Sequence, residues 1–206
     1  QACKNLKFLG GLAGLIRVPQ AWTADQIVRL MSACEVQTGT IGGVAAADWW
    51  RALHLVAWDT GERIGAIRDL EWVHADLVAG YMLVPAELRK GKRRDRLYRL
   101  AGDTIQALRK ILLPKREKIS PWPYSRTYLW NRYSRLLRKA GLPHDSKSKF
   151  HRMRRSVASH YEAAGGNATE LLGHSSRSVT LAYLDPRIVP QQHAVDLLFR
   201  PGQGKL

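Results

Sequence analysis

The sequence predicts an α+β fold that is mainly α-helical, with a small three-stranded antiparallel sheet among the helices. Apolar residues recur at helical spacing over most of the chain, as after Thr23, where Ile27 and Leu30 follow a capping-box pattern. Between residues 72 and 100 the period changes to alternation, which is typical of short strands. With 206 residues, the chain is too short for two average domains and a linker, so one main domain is expected.

The predicted elements follow one another at short intervals. The first helix follows Thr23, and the second runs from about Asp48 to a turn at Gly61, a residue type suited to positive φ. A third helical face begins beyond Arg63. The predicted strands are 76–78, 81–84 and 96–100. The remaining predicted helices follow Asp103 and Ser125, open at His151, follow Ser178 with Tyr183 on that short helix, and open at Pro190.

The charge balance predicts a polyanionic partner. Lys and Arg number 33 against 17 Asp and Glu, a formal net charge of +16. Nucleic acid is favoured over a membrane, because neither a long amphipathic basic helix nor an extended apolar run is present. A generic basic surface, as on a ribosome-associated protein, is the alternative on charge alone.

Cysteine and histidine usage argues against a disulfide framework or a metal site. Cys3 and Cys34 are the two cysteines and lie in unrelated contexts, which favours a reducing, cytoplasmic compartment. The histidines 151, 160 and 174 form no His-x-x-x-His pair and have no cysteine partner. No nucleotide-binding loop is visible, so neither cofactor nor metal is expected.

The stretch from Leu171 to Tyr183 carries the most distinctive spacing. His174 precedes Tyr183 by nine residues, with a small polar turn between them. Upstream, Arg63 stands at the start of a helix, where a positive charge opposes the helix dipole and indicates a nearby anion. Phosphodiester chemistry needs an oxygen nucleophile, cations for the non-bridging oxygens and an acid for the leaving oxygen, and this chain has residues for all three.

Five blocks, in this order, resemble the catalytic domain of the tyrosine recombinase (phage integrase) family. They are Thr60-Gly61-Glu62-Arg63, the basic hairpin with Lys90, His151-Arg152-Met153-Arg154, Leu171-Leu172-Gly173-His174, and Tyr183. The resemblance covers roughly residues 20 to 200. It implies a helical catalytic domain with a small sheet and a DNA strand exchange enzyme that works without metal or ATP.

The resemblance also implies a role for each matching residue. Tyr183 would attack the scissile phosphate to give a 3′-phosphotyrosyl link and a free 5′-hydroxyl. The phosphate would be bound in its transition state by Arg63, Arg154 and His174. Lys90 would protonate the leaving 5′-oxygen, and His151 would act in proton transfer, with the tyrosine as the expected donor. Losing one arginine contact should cost on the order of 3 kcal/mol of transition-state stabilisation.

This chain departs from the family pattern at several positions. Ala66 stands where family members usually carry an acidic residue, and the segment 165–171 is a few residues shorter than usual. The hairpin tip is about one residue longer, so Lys92 rivals Lys90 as the acid. Arg155 stands where a histidine is common. The residues expected to contact the DNA backbone are Lys92, Arg93, Arg94 and Arg155.

The expected organisation is a linker remnant over residues 1–20 and a catalytic domain over 21–206, without the family's amino-terminal DNA-binding domain. The expected partners are double-stranded DNA and further copies of the chain, as a tetramer on DNA through the C-terminal segment. The resemblance implies a bacterial or phage-encoded, nucleoid-associated protein. Whether Tyr183 serves its own active site or a neighbour's stays open.

Two other functions remain possible on sequence. A type IB topoisomerase uses similar chemistry but relaxes supercoils without exchanging partners; the nine-residue step and the short chain favour a recombinase. The non-enzymatic alternative is a DNA-binding module with a decayed active site, against which the complete set of candidate residues argues.

Overall fold

The computed structural model describes residues 20–91, 94–145 and 149–190. Its first helix, α1 (Ala24–Glu35), begins with the predicted capping box, in which Thr23 Oγ1 accepts from the Gln26 N–H and Gln26 Oε1 accepts from the Thr23 N–H. A short antiparallel hairpin of β1 (Thr40–Ile41) and β2 (Val44–Ala45) then leads into α2 (Ala46–Thr60). The sequence predicts only a loop over residues 38–43.

Helix α2 runs through the centre of the domain. It buries residues on nearly all sides, among them Trp49, Trp50 and Leu53, and packs against α1 and a later helix, α4 (Gly102–Ile111). The helix is followed by Gly61, whose φ of 61° is the left-handed conformation predicted there. This turn redirects the chain into α3 (Ile64–Asp69), with Arg63 at its start.

The predicted three-stranded antiparallel sheet is present, in the order β3–β4–β5. Its strands are β3 (Ala75–Asp76), β4 (Tyr81–Val84) and β5 (Arg96–Arg99), and Met82 of β4 pairs with Tyr98 of β5. Burial alternates along β4, so Met82 and Val84 face the core. The β4–β5 connection includes a 3₁₀ turn (Ala86–Leu88) and Lys90.

Four further helices complete the described part of the chain. Ser125 caps α5 (Arg126–Lys139) by accepting from the Tyr128 N–H, as predicted. Helix α6 (His151–Ala163) opens at the predicted residue, and α7 (Ala168–Leu172) and α8 (Arg177–Leu181) follow. None of the helices within residues 20–91, 94–145 and 149–190 is both long and apolar enough to cross a membrane.

Some predicted boundaries were wrong. The N-cap of α4 is Ala101 rather than Asp103, which lies in the first turn and accepts from the Thr104 N–H. The first strand ends at Asp76, because the Asp76 carboxylate accepts from the N–H groups of Val78 and Ala79 and turns the chain there. The predicted helix at Pro190 and the linker 1–20 fall almost entirely outside the described residues.

Candidate active site

The turn after α2 supplies two charged residues of opposite sign. Glu62 is 2% exposed, whereas the adjacent Arg63 is half-buried at the start of α3. Val157 and Leu172 pack closely over Gly61, so the turn lies against α6 and α7. The end of a buried helix thereby holds Arg63 beside the segments that carry the other candidate residues.

Arg154 projects from α6 into the base of the same region and is 2% exposed. Its Nη1 donates to the Gly61 carbonyl at 2.5 Å, and its Nη2 donates to the Leu172 carbonyl at 2.9 Å. Nη1 lies 3.6 Å from Glu62 Oε2. Burial lowers the pKa of Arg154 to about 10, a shift that Glu62 opposes, so the guanidinium is charged at neutral pH.

His174 enters the site through the turn that ends α7. Gly173 adopts a left-handed φ of 65°, which reverses the chain and aims His174 back toward α8. The Nδ1 atom of His174 lies 3.0 Å from the buried hydroxyl of Thr180, and its Nε2 has no hydrogen-bonding partner in the described part of the chain. Desolvation, together with the charges of Arg154 and Arg63, lowers the pKa of His174 to about 4.

Tyr183 lies between the two candidate histidines. Its ring centroid is 5.1 Å from that of His151 and 4.8 Å from that of His174. The predicted Ser178 cap was wrong: Ser176 is the N-cap of α8, which ends at Leu181, and Tyr183 follows in a turn closed by its N–H on the Thr180 carbonyl. Within this chain the tyrosine therefore reaches its own histidines.

His151 is surrounded by positive charge. Desolvation lowers its pKa to about 4, and the charges of Arg155, Arg154, Arg63 and His174 act in the same direction. Because desolvation and like charges both disfavour protonation, the imidazole is neutral at pH 7. Three arginines close enough to perturb one histidine also form a site suited to an anion.

The chain beyond the tyrosine is tied to the start of the described region. Asp185 is fully buried; its carboxylate accepts from the Ala21 N–H at 2.8 Å and from the Arg187 guanidinium at 2.5 Å. The Asp185 N–H donates to the Ser159 hydroxyl of α6 at 2.9 Å. These contacts hold the turn that carries Tyr183 against α6.

The hairpin residues are less closely assembled. Lys90 and Arg94 are exposed in the β4–β5 connection, while Lys92 and Arg93 lie outside the described residues. Arg155 is half-buried on α6, four residues after His151, and its charge lowers the pKa of that histidine. Five of the six predicted catalytic residues are thus brought together, and the sixth, Lys90, lies on the adjoining hairpin.

Metal ligation has no visible basis in residues 20–91, 94–145 and 149–190. They contain no group of three or more His, Cys, Asp or Glu side chains that could hold a metal ion. A cleft of about 410 Å³ lies elsewhere, along Glu35, Asp48 and Arg51, and takes no part in the candidate site.

Comparison with known protein families shows to which family the chain belongs. The model of the Phage integrase family matches residues 20–188, which include all six predicted catalytic residues. The chain belongs to the phage integrase family. Among curated protein sequences, none matches this integrase-family chain.

Solved structures share the fold of this family member. XerA recombinase is 20% identical with a TM-score of 0.62, over 88% of this chain and 62% of that one. The catalytic domain of bacteriophage HP1 integrase is 18% identical with a TM-score of 0.60, over 84% and 89%. A lambda integrase dimer bound to a COC′ core site is 22% identical with a TM-score of 0.63, over 86% and 51%. The chain therefore spans nearly all of the HP1 catalytic domain but less than two thirds of the XerA and lambda chains.

Sequence reasoning about this integrase-family chain missed two residues that contact the candidate catalytic residues. Glu62 is the buried partner of Arg154, and its signal was an acidic residue directly before Arg63 in a chain that has Ala66 instead of the usual acid. Thr180 is the partner of His174. Its position three residues before Tyr183 was a weak signal, because a single threonine does not identify itself as the partner of a histidine.

Proposed function

We propose that this chain is the catalytic domain of a tyrosine-type site-specific recombinase, which cuts and rejoins DNA through a 3′-phosphotyrosyl intermediate. The supporting observation is the arrangement around Tyr183, whose ring is flanked by the rings of His151 and His174 in a region of concentrated arginine charge. A nucleophile, proton acceptors and cations for a phosphate meet there. A purely structural tyrosine would not need this surrounding.

In the proposed step, the Tyr183 oxygen forms a bond to the scissile phosphorus while the bond from phosphorus to the 5′-oxygen breaks. The phenol proton passes to His151, which is neutral at pH 7 and therefore has a ring nitrogen that can accept it. The leaving 5′-oxygen takes a proton from the Lys90 ammonium. A second strand's 5′-hydroxyl reverses these transfers and joins a new partner.

The phosphate would be stabilised by Arg63, Arg154 and the Nε2–H of His174. If the Thr180 hydroxyl donates to Nδ1, the neutral imidazole carries its proton on Nε2, the atom without a partner among the described residues. Together these charged and polar groups stabilise the negative charge on the phosphate oxygens in the transition state. The covalent link retains the energy of the cut bond, so the proposal requires neither metal nor ATP.

The proposed substrate is double-stranded DNA, bound mainly through its backbone by a chain of net charge +16. Backbone contacts are assigned to Lys92, Arg93, Arg94 and Arg155. The structural neighbours include a lambda integrase tetramer bound to a Holliday junction. We propose that this chain also forms a tetramer on DNA and that its C-terminal segment makes the contacts between copies. The catalytic domain is assigned to 21–206 and a linker to 1–20, acting on nucleoid DNA in the cytoplasm of a bacterium or phage host.

A covalent-capture experiment tests the proposal even though the target site has not been identified. The chain is mixed with a pool of duplexes that carry random sequence beside a nick, so that a short cleaved fragment dissociates and traps the intermediate. The expected result is an SDS-resistant adduct. Mass spectrometry of the adduct should locate the attached DNA at Tyr183. Tyr183→Phe should reduce adduct formation to background, because it removes the attacking oxygen.

The matched control is Tyr161→Phe, which removes the hydroxyl of an exposed tyrosine on α6 and should leave the adduct unchanged. Failure of the unaltered chain to form an adduct, or an adduct from Tyr183→Phe, would refute the assignment. The captured sequence then allows two further assays. Relaxation of supercoils without exchange between two sites would indicate a topoisomerase instead.

A further inference from the structure

A buried ion pair links the β4–β5 hairpin to the turn after α2. Arg89 Nε donates to Glu62 Oε1 at 2.6 Å, and the two side chains are 11% and 1% exposed. Arg89 directly precedes Lys90 and is not one of the predicted catalytic residues. A charge pair this well shielded, with a short hydrogen bond, restricts the side chains to one arrangement.

Arg89 also spans the hairpin tip. Its Nη1 donates to the Arg94 carbonyl at 3.3 Å, which joins the two sides of the loop that contains Lys90. At the base of the same loop, the Ala86 N–H donates to Asp95 Oδ1 at 2.8 Å. The position of the exposed Lys90 therefore depends on a neighbour whose guanidinium is bonded on two sides.

The same guanidinium packs against the turn that carries His174. A Cβ atom placed on Gly173 would lie 2.9 Å from Arg89 Nη2 and 3.2 Å from Arg96 Nη2. Glycine at this position permits the close approach as well as the positive φ. Arg89 thus contacts the hairpin, the turn before His174 and, through Glu62, the region of Arg154.

Glu62 joins these contacts at one carboxylate. Its Oε1 accepts from Arg89 and from the Tyr98 hydroxyl at 2.8 Å, while its Oε2 faces Arg154 Nη1 at 3.6 Å. Burial, with the adjacent Glu62 charge, raises the pKa of Tyr98, so its hydroxyl remains a donor. The carboxylate connects β5, α6 and the hairpin around the candidate site.

We propose that Arg89 is a positioning residue: paired with Glu62, it holds the hairpin tip so that Lys90 reaches the leaving 5′-oxygen. This inference rests on the proposed function, in which Lys90 is the acid. Arg89 itself touches no reacting atom. Its loss should therefore impair proton delivery to the leaving group more than the attack of Tyr183.

The test compares two leaving groups on a duplex captured by the unaltered chain and resynthesised. One version has the normal 5′-oxygen, and the other has a bridging 5′-sulfur, which leaves as a thiolate without a proton. Arg89→Ala should slow adduct formation by about tenfold or more on the oxygen substrate and by less than about threefold on the sulfur substrate, because general-acid assistance matters only for oxygen. Arg89→Lys keeps the charge but lacks a fork for two acceptors, so an intermediate loss is expected.

Tyr98→Phe is the matched control, because it removes the other hydrogen bond to the same Glu62 oxygen and leaves the bond to the Arg94 carbonyl intact. Tyr98→Phe should change the rate of adduct formation on the oxygen substrate and on the sulfur substrate by the same factor. Urea unfolding of each variant reports any loss of stability separately. If Arg89→Ala is equally slow on both substrates, or no slower than Tyr98→Phe, the positioning role is wrong.

Lys90→Ala separates this inference from the function on which it depends. Rescue of Lys90→Ala by sulfur together with rescue of Arg89→Ala supports both assignments. Rescue of Lys90→Ala alone preserves the acid and overturns the role of Arg89. If sulfur does not rescue Lys90→Ala, the acid assignment fails, and the positioning of Lys90 by Arg89 fails with it.

Discussion

Thr180 shows how one hydroxyl determines the chemistry of a neighbouring residue. It is fully buried, 3.0 Å from His174 Nδ1, and the low pKa of His174 leaves that imidazole with a single proton. The partner of Nδ1 then decides which nitrogen carries that proton. A donor at Nδ1 leaves Nε2–H free for a phosphate, so Thr180 matters for the proposed step although it bears no charge.

We expect Thr180→Val to slow adduct formation by about tenfold, because the isosteric side chain cannot hold the tautomer with Nε2–H. Thr180→Ser, which retains the hydroxyl, should stay close to the unaltered rate. Single-turnover capture rates check both, and ¹⁵N chemical shifts of His174 report the tautomer. A rate for Thr180→Val equal to that of Thr180→Ser would contradict the role of the hydroxyl.

At the scale of elements, the turn between α2 and α3 has a strict backbone requirement near the site. Gly61 combines a φ of 61° with close neighbours: an added Cβ would lie 3.3 Å from both Leu172 and Val157. The carbonyl of Gly61 also accepts from Arg154. The turn therefore links the end of α2 to the middle of α6 and the end of α7, and it sets the direction in which the chain continues to Arg63.

Gly61→Ala should lower the free energy of unfolding by about 1–2 kcal/mol, since alanine disfavours the left-handed conformation and its methyl group presses on both neighbours. Gly65, one turn further along in α3, is the matched control. An added Cβ meets nothing within 4 Å there. Gly65→Ala should raise the free energy by about 0.4–1 kcal/mol. Urea unfolding measures both, and equal effects would contradict the backbone argument.

At the scale of the whole molecule, the core contains an ionisable group. His54 is fully buried among the rings of Trp50, Tyr133 and Phe150, and its Nδ1 lies 2.7 Å from the Trp50 carbonyl. Desolvation lowers its pKa to about 4. In the unfolded chain the same imidazole titrates near its ordinary value of 6.5.

Stability should consequently fall as the pH is lowered below 6.5. Between pH 6.5 and 4 the unfolded state binds a proton at His54 that the folded state does not, so protonation favours unfolding. At pH 5 this difference contributes about 2 kcal/mol of lost stability. His54→Gln should show a smaller decrease in unfolding free energy between pH 7 and pH 5, measured by urea titration. An identical decrease in both proteins would contradict the assignment to His54.

Several of the correct predictions concern bonds between neighbours in sequence. The capping box at Thr23, the Ser125 cap and the left-handed Gly61 each involve residues within four positions of one another. The predicted strand over residues 76–78 and the predicted cap at Ser178 were wrong for a related reason. In each of these two segments several polar side chains could make the hydrogen bond that ends a strand or caps a helix, and the sequence does not show which of them makes it.

Sequence alone determined the helical character with a small antiparallel sheet, the basic charge, and the family blocks that contain the six candidate residues. Only the tertiary structure decided how they meet. Arg154 reaches the Gly61 carbonyl across 93 positions, and Arg89 reaches Glu62 across 27. The first pair forms because α6 packs against α2, and the second because the 3₁₀ turn before Arg89 packs against α3. Spacing along the chain carries no record of either contact.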